Sequence, residues 1–305
     1  MTGPLVLLSC VALSSCLAHV AVQETKARTA GWEPATWNGE RAFALATERW
    51  RAIVSVERGR LVHFGPADEP ECNLLFETAS REDPFSWGGH RVWLGPQALW
   101  GWPPPEAWER AAAESVAVEG PRLSLTMPAA GRGFPRFRRI YEIASGRLAC
   151  RVAVAAGGAQ AVQVMQILQT PRDTVVELTP RPSAAWPRGY FRVGGAVGPA
   201  LEPRLARPEG VCEHGGAVRI AFAGRSDKLA FPPQTLAAIV RGRRLLLGFG
   251  ESRGEVHATP DAGFYTQVYI GDAQSPVVEI EQLSPQWAAG ASGEFSMYLG
   301  LAEPA

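Results

Sequence analysis

A chain of 305 residues with 30 Lys+Arg against 30 Asp+Glu has no formal net charge, which removes the electrostatic pull that nucleic acid or anionic lipid exerts on a partner. Its hydrophobic fraction of 46% is ample for a large core. Its 32 Gly and 25 Pro, scattered without a period, indicate tight turns between short strands rather than collagen or a disordered linker.

Leu5 to Leu13 is an apolar run too short to span a bilayer. It leads into Leu13-Ser14-Ser15-Cys16, which resembles a bacterial lipobox. Residues 1–21 are therefore expected to be a signal peptide, with Cys16 lipidated as the first mature residue; cleavage near Ala18 to Ala21 is the competing expectation. The implied location is the periplasm or the outer membrane as a lipoprotein, and otherwise the medium. No later run is long enough for a membrane helix. Setting Cys10 and Cys16 aside leaves Cys72, Cys150 and Cys212, an odd and widely spaced set that makes no disulfide framework.

Residues 22–40 are polar, carry Gly and Pro, and read as an irregular lead-in. Residues 41–303 then read as one β domain. Arg51 to Glu57 and Leu61 to Phe64 form a hairpin pattern around Arg58-Gly59. Three more follow, at Glu114–Glu119/Leu123–Met127, Phe137–Ala144/Leu148–Ala155 and Leu236–Val240/Arg244–Phe249. Further strands are expected at Ala161–Leu168, Thr174–Leu178, Tyr190–Val193, Ala217–Ala223, Phe264–Ile270, Val277–Leu283 and Glu294–Leu301. About fifteen to eighteen strands with turn signals between them predict an all-β, antiparallel sandwich. Glu106 to Ser115 is the best helix candidate, and its periodicity is weak.

Motif searches narrow the chemistry. There is no GxSxG elbow, no phosphate-cradling glycine loop and no HExxH. With no CxxC pair, and with Cys212-Glu213-His214 read as a loop beside Gly215-Gly216, no metal site is expected. The informative stretch is Trp87-Gly88-Gly89-His90-Arg91-Val92-Trp93-Leu94-Gly95-Pro96-Gln97, continuing to Trp100-Gly101-Trp102-Pro103-Pro104. Gly-Gly permits close backbone approach, Arg91 offers a fork of donors, and indole faces stack on the C–H face of a pyranose. These residues read equally well as the lining of a sugar cleft and as a Trp-rich loop over the core.

Gly88-Gly89-His90-Arg91-Val92-Trp93, Pro96-Gln97 and Trp102-Pro103-Pro104 together resemble a bacterial family of mutarotase-like proteins of unknown function. Leu61-Val62-His63-Phe64-Gly65-Pro66 with Asn73-Leu74-Leu75-Phe76-Glu77, and Thr259-Pro260-Asp261-Ala262-Gly263 with Val278 to Pro285, fit the same family in the same order. The resemblance implies the large antiparallel super-sandwich of galactose mutarotase and the aldose 1-epimerases, a sugar-sized ligand and no cofactor; a monomer is expected. In that chemistry a glutamate takes the anomeric proton and a histidine protonates the ring oxygen. The base maps to Glu281 in Ile280-Glu281-Gln282-Leu283-Ser284-Pro285, with Glu279 on the same strand face. The expected ligand-binding side chains are Arg91, Trp93, Gln97, Trp102, Gln166 and Glu279. The histidine is missing: Val162 to Gln169 reads Val-Gln-Val-Met-Gln-Ile-Leu-Gln. His90 is the expected substitute acid, with His63 and His257 behind it. Three functions follow from this sequence: an exported carbohydrate-binding protein, an aldose 1-epimerase-type isomerase, or a cell-envelope scaffold.

Overall fold

The computed structural model describes residues 31–78, 87–194, 202–204, 209–260 and 263–303. The expected signal peptide with Cys16 and the pair Asp261-Ala262 lie outside the described residues. Four strands open the described chain in sequential spatial order: β1 (Glu33–Trp37), β2 (Glu40–Ala46), β3 (Trp50–Ser55) and β4 (Arg60–Pro66). Next come β5 (His90–Gly95), the one-turn helix α1 (Glu106–Glu109), β6 (Ser115–Glu119), β7 (Arg122–Thr126), β8 (Phe137–Ala144) and β9 (Arg147–Val154). The middle holds β10 (Gln163–Pro171), β11 (Val175–Leu178), β12 (Phe191–Gly194), β13 (Glu202–Arg204), β14 (Val211–His214), β15 (Ala217–Ile220) and β16 (Asp227–Phe231). The chain closes with β17 (Leu236–Val240), β18 (Arg243–Gly254), β19 (Val256–Ala258), β20 (Thr266–Ile270), β21 (Val277–Leu283), β22 (Gln286–Trp287) and β23 (Gly293–Leu301).

Two large antiparallel sheets dominate. One has ten strands, ordered β14-β15-β11-β17-β18-β23-β9-β8-β7-β6; the other has seven, ordered β13-β12-β16-β20-β21-β10-β5. They share one apolar core, to which Val92, Leu94, Val164, Leu168, Val278 and Ile280 contribute from the smaller sheet, and Tyr141, Leu148, Val152, Leu247 and Phe295 from the larger. The expected hairpins all form, as β3–β4, β6–β7, β8–β9 and β17–β18. The last two turn through Ser145-Gly146 and Arg241-Gly242, each pair at positive φ, the geometry that matches the twist of the flanking strands.

Three expectations need correction. The end of the expected lead-in is a hairpin, β1–β2, turned by Asn38-Gly39 at φ 48° and 79°. Cys212-Glu213-His214 belongs to β14 rather than to a loop. His90 to Gly95, read as part of a loop, is β5, hydrogen-bonded along β10.

Candidate functional site

Two glycines place β5. Gly88 and Gly89 sit at φ +73° and +75°, and an added Cβ would lie 1.7 Å from the Phe76 carbonyl oxygen and 2.2 Å from that of Leu61. The Gly89 amide donates to the Phe76 carbonyl at 2.9 Å, and its own carbonyl accepts from the Gln169 amide at 3.0 Å. The glycines thus let β5 press against the chain near β4, rather than against a ligand.

Strand alternation then decides which side chains reach a cleft. Arg91 and Trp93 leave β5 on the face turned away from the ten-stranded sheet, whereas His90 points toward it. His90 is 1% exposed, with Nδ1 3.5 Å from the Tyr141 hydroxyl of β8. Burial, aided by the Arg139 charge, pushes its pKa down to about 3. The expected acid is therefore a neutral core group on the wrong side of the sheet. Gln166 is misplaced for the same reason: it pairs with Val92, and its amide nitrogen donates to the Phe295 carbonyl at 3.1 Å. Gln169, three residues on, has the parity that reaches the cleft.

His63 shares this buried state, with its pKa lowered to about 4 by burial and by Arg51. Both histidines sit below their ordinary 6.5 in the folded protein, so below pH 6.5 the unfolded chain binds more protons. Stability is therefore present above pH 6.5 and lost as pH falls toward 4 for His63 and 3 for His90, at about 1.4 kcal/mol per pH unit for each. Urea unfolding at pH 7 and pH 5 checks this: His90→Phe should flatten the slope, and an unchanged slope contradicts the assignment.

Cross-strand register assembles the cleft. Lys228, Tyr269, Glu279 and Gln169 lie abreast on β16, β20, β21 and β10. One row over, Gln267, Glu281, Ile167 and Arg91 align on β20, β21, β10 and β5. Of these, Arg91, Gln169, Lys228, Tyr269, Glu279 and Glu281 join Trp93, Gln97, Trp102, Met165 and Ser275 around a space of about 270 Å³, close to the roughly 300 Å³ lower bound of small-molecule sites. That suits one small polar molecule. A larger hollow of about 680 Å³ by Arg49, Asp68 and Arg244 has no aromatic wall.

Charge is dense and ordered here. The Arg91 guanidinium lies over the Trp93 ring at 4.4 Å from its centroid. Its Nε donates to Glu109 Oε1 at 2.8 Å and its Nη1 to Glu279 Oε1 at 2.7 Å. The other Glu109 oxygen accepts from Trp93 Nε1 at 2.8 Å. Glu109 comes from α1 and was not foreseen; it fixes both cleft-facing residues of β5. Burial alone would raise its carboxyl, but the Arg91 and Arg60 charges outweigh that and hold it below the usual range. Glu279, which also accepts from Gln169 Nε2 at 2.7 Å, is pushed up, chiefly by burial and then by the charge of Glu281, against the pull of Arg91. The Lys228 ammonium lies 2.8 Å and 2.9 Å from the two Glu281 oxygens. Trp102 is 53% exposed and stands edge-on to Trp93, with ring centroids 6.1 Å apart.

Of the residues singled out in the sequence, Arg91, Trp93, Gln97, Trp102, Glu279 and Glu281 meet in this cleft, Gln169, Lys228 and Tyr269 join them, and His90 and Gln166 lie outside it. Among the described residues no group of three His, Cys, Asp or Glu side chains is placed to hold a metal ion. No helix among them is long and apolar enough to cross a membrane.

No family model and no curated protein sequence matches the chain. Solved structures do. A galactose mutarotase-like protein from Lactobacillus casei superposes with a TM-score of 0.59 at 10% identity, over 86% of this chain and 100% of that one. A putative aldose 1-epimerase from Escherichia coli gives 0.56 at 11%, over 86% and 99%. A galactose mutarotase related enzyme from Lactobacillus acidophilus gives 0.57 at 8%, over 86% and 97%. The fold is galactose mutarotase-like.

Proposed function

We propose that the protein binds a carbohydrate of about one sugar ring in the cleft between β5 and β16, and that it does so outside the cytoplasm. The observation that carries the binding reading is the meeting of an exposed indole, Trp102, with converging donors and acceptors from Gln97, Gln169, Lys228, Glu279 and Glu281. Sugars present an apolar C–H face and a rim of hydroxyls, and this cleft offers a partner for each. The fold adds support without deciding the matter, since one fold hosts many functions. The extracytoplasmic location rests on the segment from Leu5 to Cys16.

Titration calorimetry with galactose, glucose, xylose and glucuronate tests the reading; heat of binding from none of them would sink it. Trp102→Ala should weaken binding about tenfold, or about 1.4 kcal/mol. The melting temperature should stay put, because the side chain is half exposed. A loss of stability in place of affinity would make Trp102 a packing residue.

A further inference from the structure

We infer that Lys228 and Glu281 are an acid–base pair that opens a sugar ring in this cleft, with the Lys228 ammonium as the acid. This rests on the sugar-binding reading above. Three observations carry it. Lys228 Nζ lies 2.8 Å and 2.9 Å from the two Glu281 oxygens, and both side chains line the cleft. Lys228 is 19% exposed, and of its three N–H donors only those directed at Glu281 have a protein acceptor among the described residues, so one remains for a ligand. Among the described residues no histidine lines the cleft.

The chemistry suits a pair this close. The anomeric hydroxyl and the ring oxygen are both bonded to the anomeric carbon, so the base for one and the acid for the other must sit side by side. A Glu281 oxygen takes the hydroxyl proton. The oxygen's electron pair forms the carbonyl, the bond from the anomeric carbon to the ring oxygen breaks, and the ring oxygen keeps that pair and takes a proton from Lys228. The product is the open-chain aldehyde. Lys228 is now a neutral amine touching a protonated Glu281, and return of that proton resets both groups. Rotation of the aldehyde and the reverse steps close the ring on its other face. No electrons leave the system and no co-reactant enters.

Glu279 is the poorer base because its partners cannot complete the step. Arg91 does not release a proton, and the Gln169 amide carries no acidic one. Tyr269, the other titratable group facing the pair, has its hydroxyl pKa raised by burial and by the Glu279 charge, which makes it a weaker acid still.

The test is anomer-exchange NMR on the full chain with galactose, glucose, xylose and glucuronate, run beside calorimetry on the same sugars. The wild type should speed interconversion above buffer. Lys228→Arg keeps the charge and the pairing with Glu281 but does not release a proton, and should lose at least about 100-fold of the acceleration at saturating sugar, beyond any change in the affinity that calorimetry reads. Glu281→Gln should do the same. Lys228→Gln, uncharged but able to hydrogen-bond Glu281, is the second variant and should also lose the rate. A Lys228→Arg protein at full rate would make the lysine a counter-ion only and overturn the inference. Binding with no wild-type acceleration would overturn it and leave the binding reading standing. Absence of binding would remove both.

Discussion

Replacing Glu109 with alanine is expected to cost about 3–5 kcal/mol of folding stability, the range for breaking a buried ion pair and stranding its partner charge. Glu109 is 2% exposed and sits among three arginines that are at least as buried, Arg60, Arg91 and Arg139. Arg60 donates to its backbone oxygen at 2.6 Å and approaches its carboxylate at 3.4 Å, while Arg91 donates to that carboxylate at 2.8 Å. Arg139 donates to the neighbouring Trp108 carbonyl at 3.1 Å. Burial already draws the Arg60 pKa down to about 10, so this pocket is a costly place for positive charge even with the carboxylate present. Without it, Arg91 loses the contact that sets its plane over Trp93, and the indole N–H loses its acceptor. Urea unfolding reports the outcome: a midpoint shift worth less than about 1 kcal/mol would show that Glu109 is not the keystone of this cluster.

Gly89→Ala should rank second, at about 3 kcal/mol or more. Its φ of +75° adds about 1–2 kcal/mol for a residue with a side chain. The new Cβ would meet the Leu61 carbonyl at 2.2 Å, and backbone on that side cannot swing away as a side chain can. Gly39→Ala is the control, with φ +79° and nothing within 4 Å of the added carbon; it should cost about 1 kcal/mol through backbone geometry alone. Equal losses at the two positions would remove packing from the account. In the Gly89 variant, sugar affinity should fall with stability, since β5 carries Arg91 and Trp93.

The hairpins were legible in the sequence because local chemistry writes them there: a turn pair such as Ser145-Gly146 between two apolar runs needs no tertiary information. Asn38-Gly39 carried the same signal, but the polar composition around it masked β1. The cleft was half legible. Glu279 and Glu281 were correctly placed on one face by alternation alone. The same rule separates His90 from Arg91 once His90–Gly95 is recognised as a strand, but Gly and Trp density made that segment read as a loop. On β10 the choice between Gln166 and Gln169 turns on parity against β5 and β21, which no single strand reveals. Glu109 and Lys228 carried no motif. Their roles arise from a helical turn folded under β5 and from a strand two places away from β21, relations fixed only by the completed sheet.

The contact between Arg91 and Glu279 joins positions 188 apart in sequence. A site closed across so much chain has no counterpart in the unfolded ensemble, which makes any ligand of the cleft a selective stabiliser of the native state. By mass action, ligand at a hundred times its dissociation constant adds about 2.7 kcal/mol. Thermal denaturation against a library of sugars would therefore rank ligands without any assay for catalysis, and the compound that raises the midpoint furthest would be the first to carry into the exchange experiment.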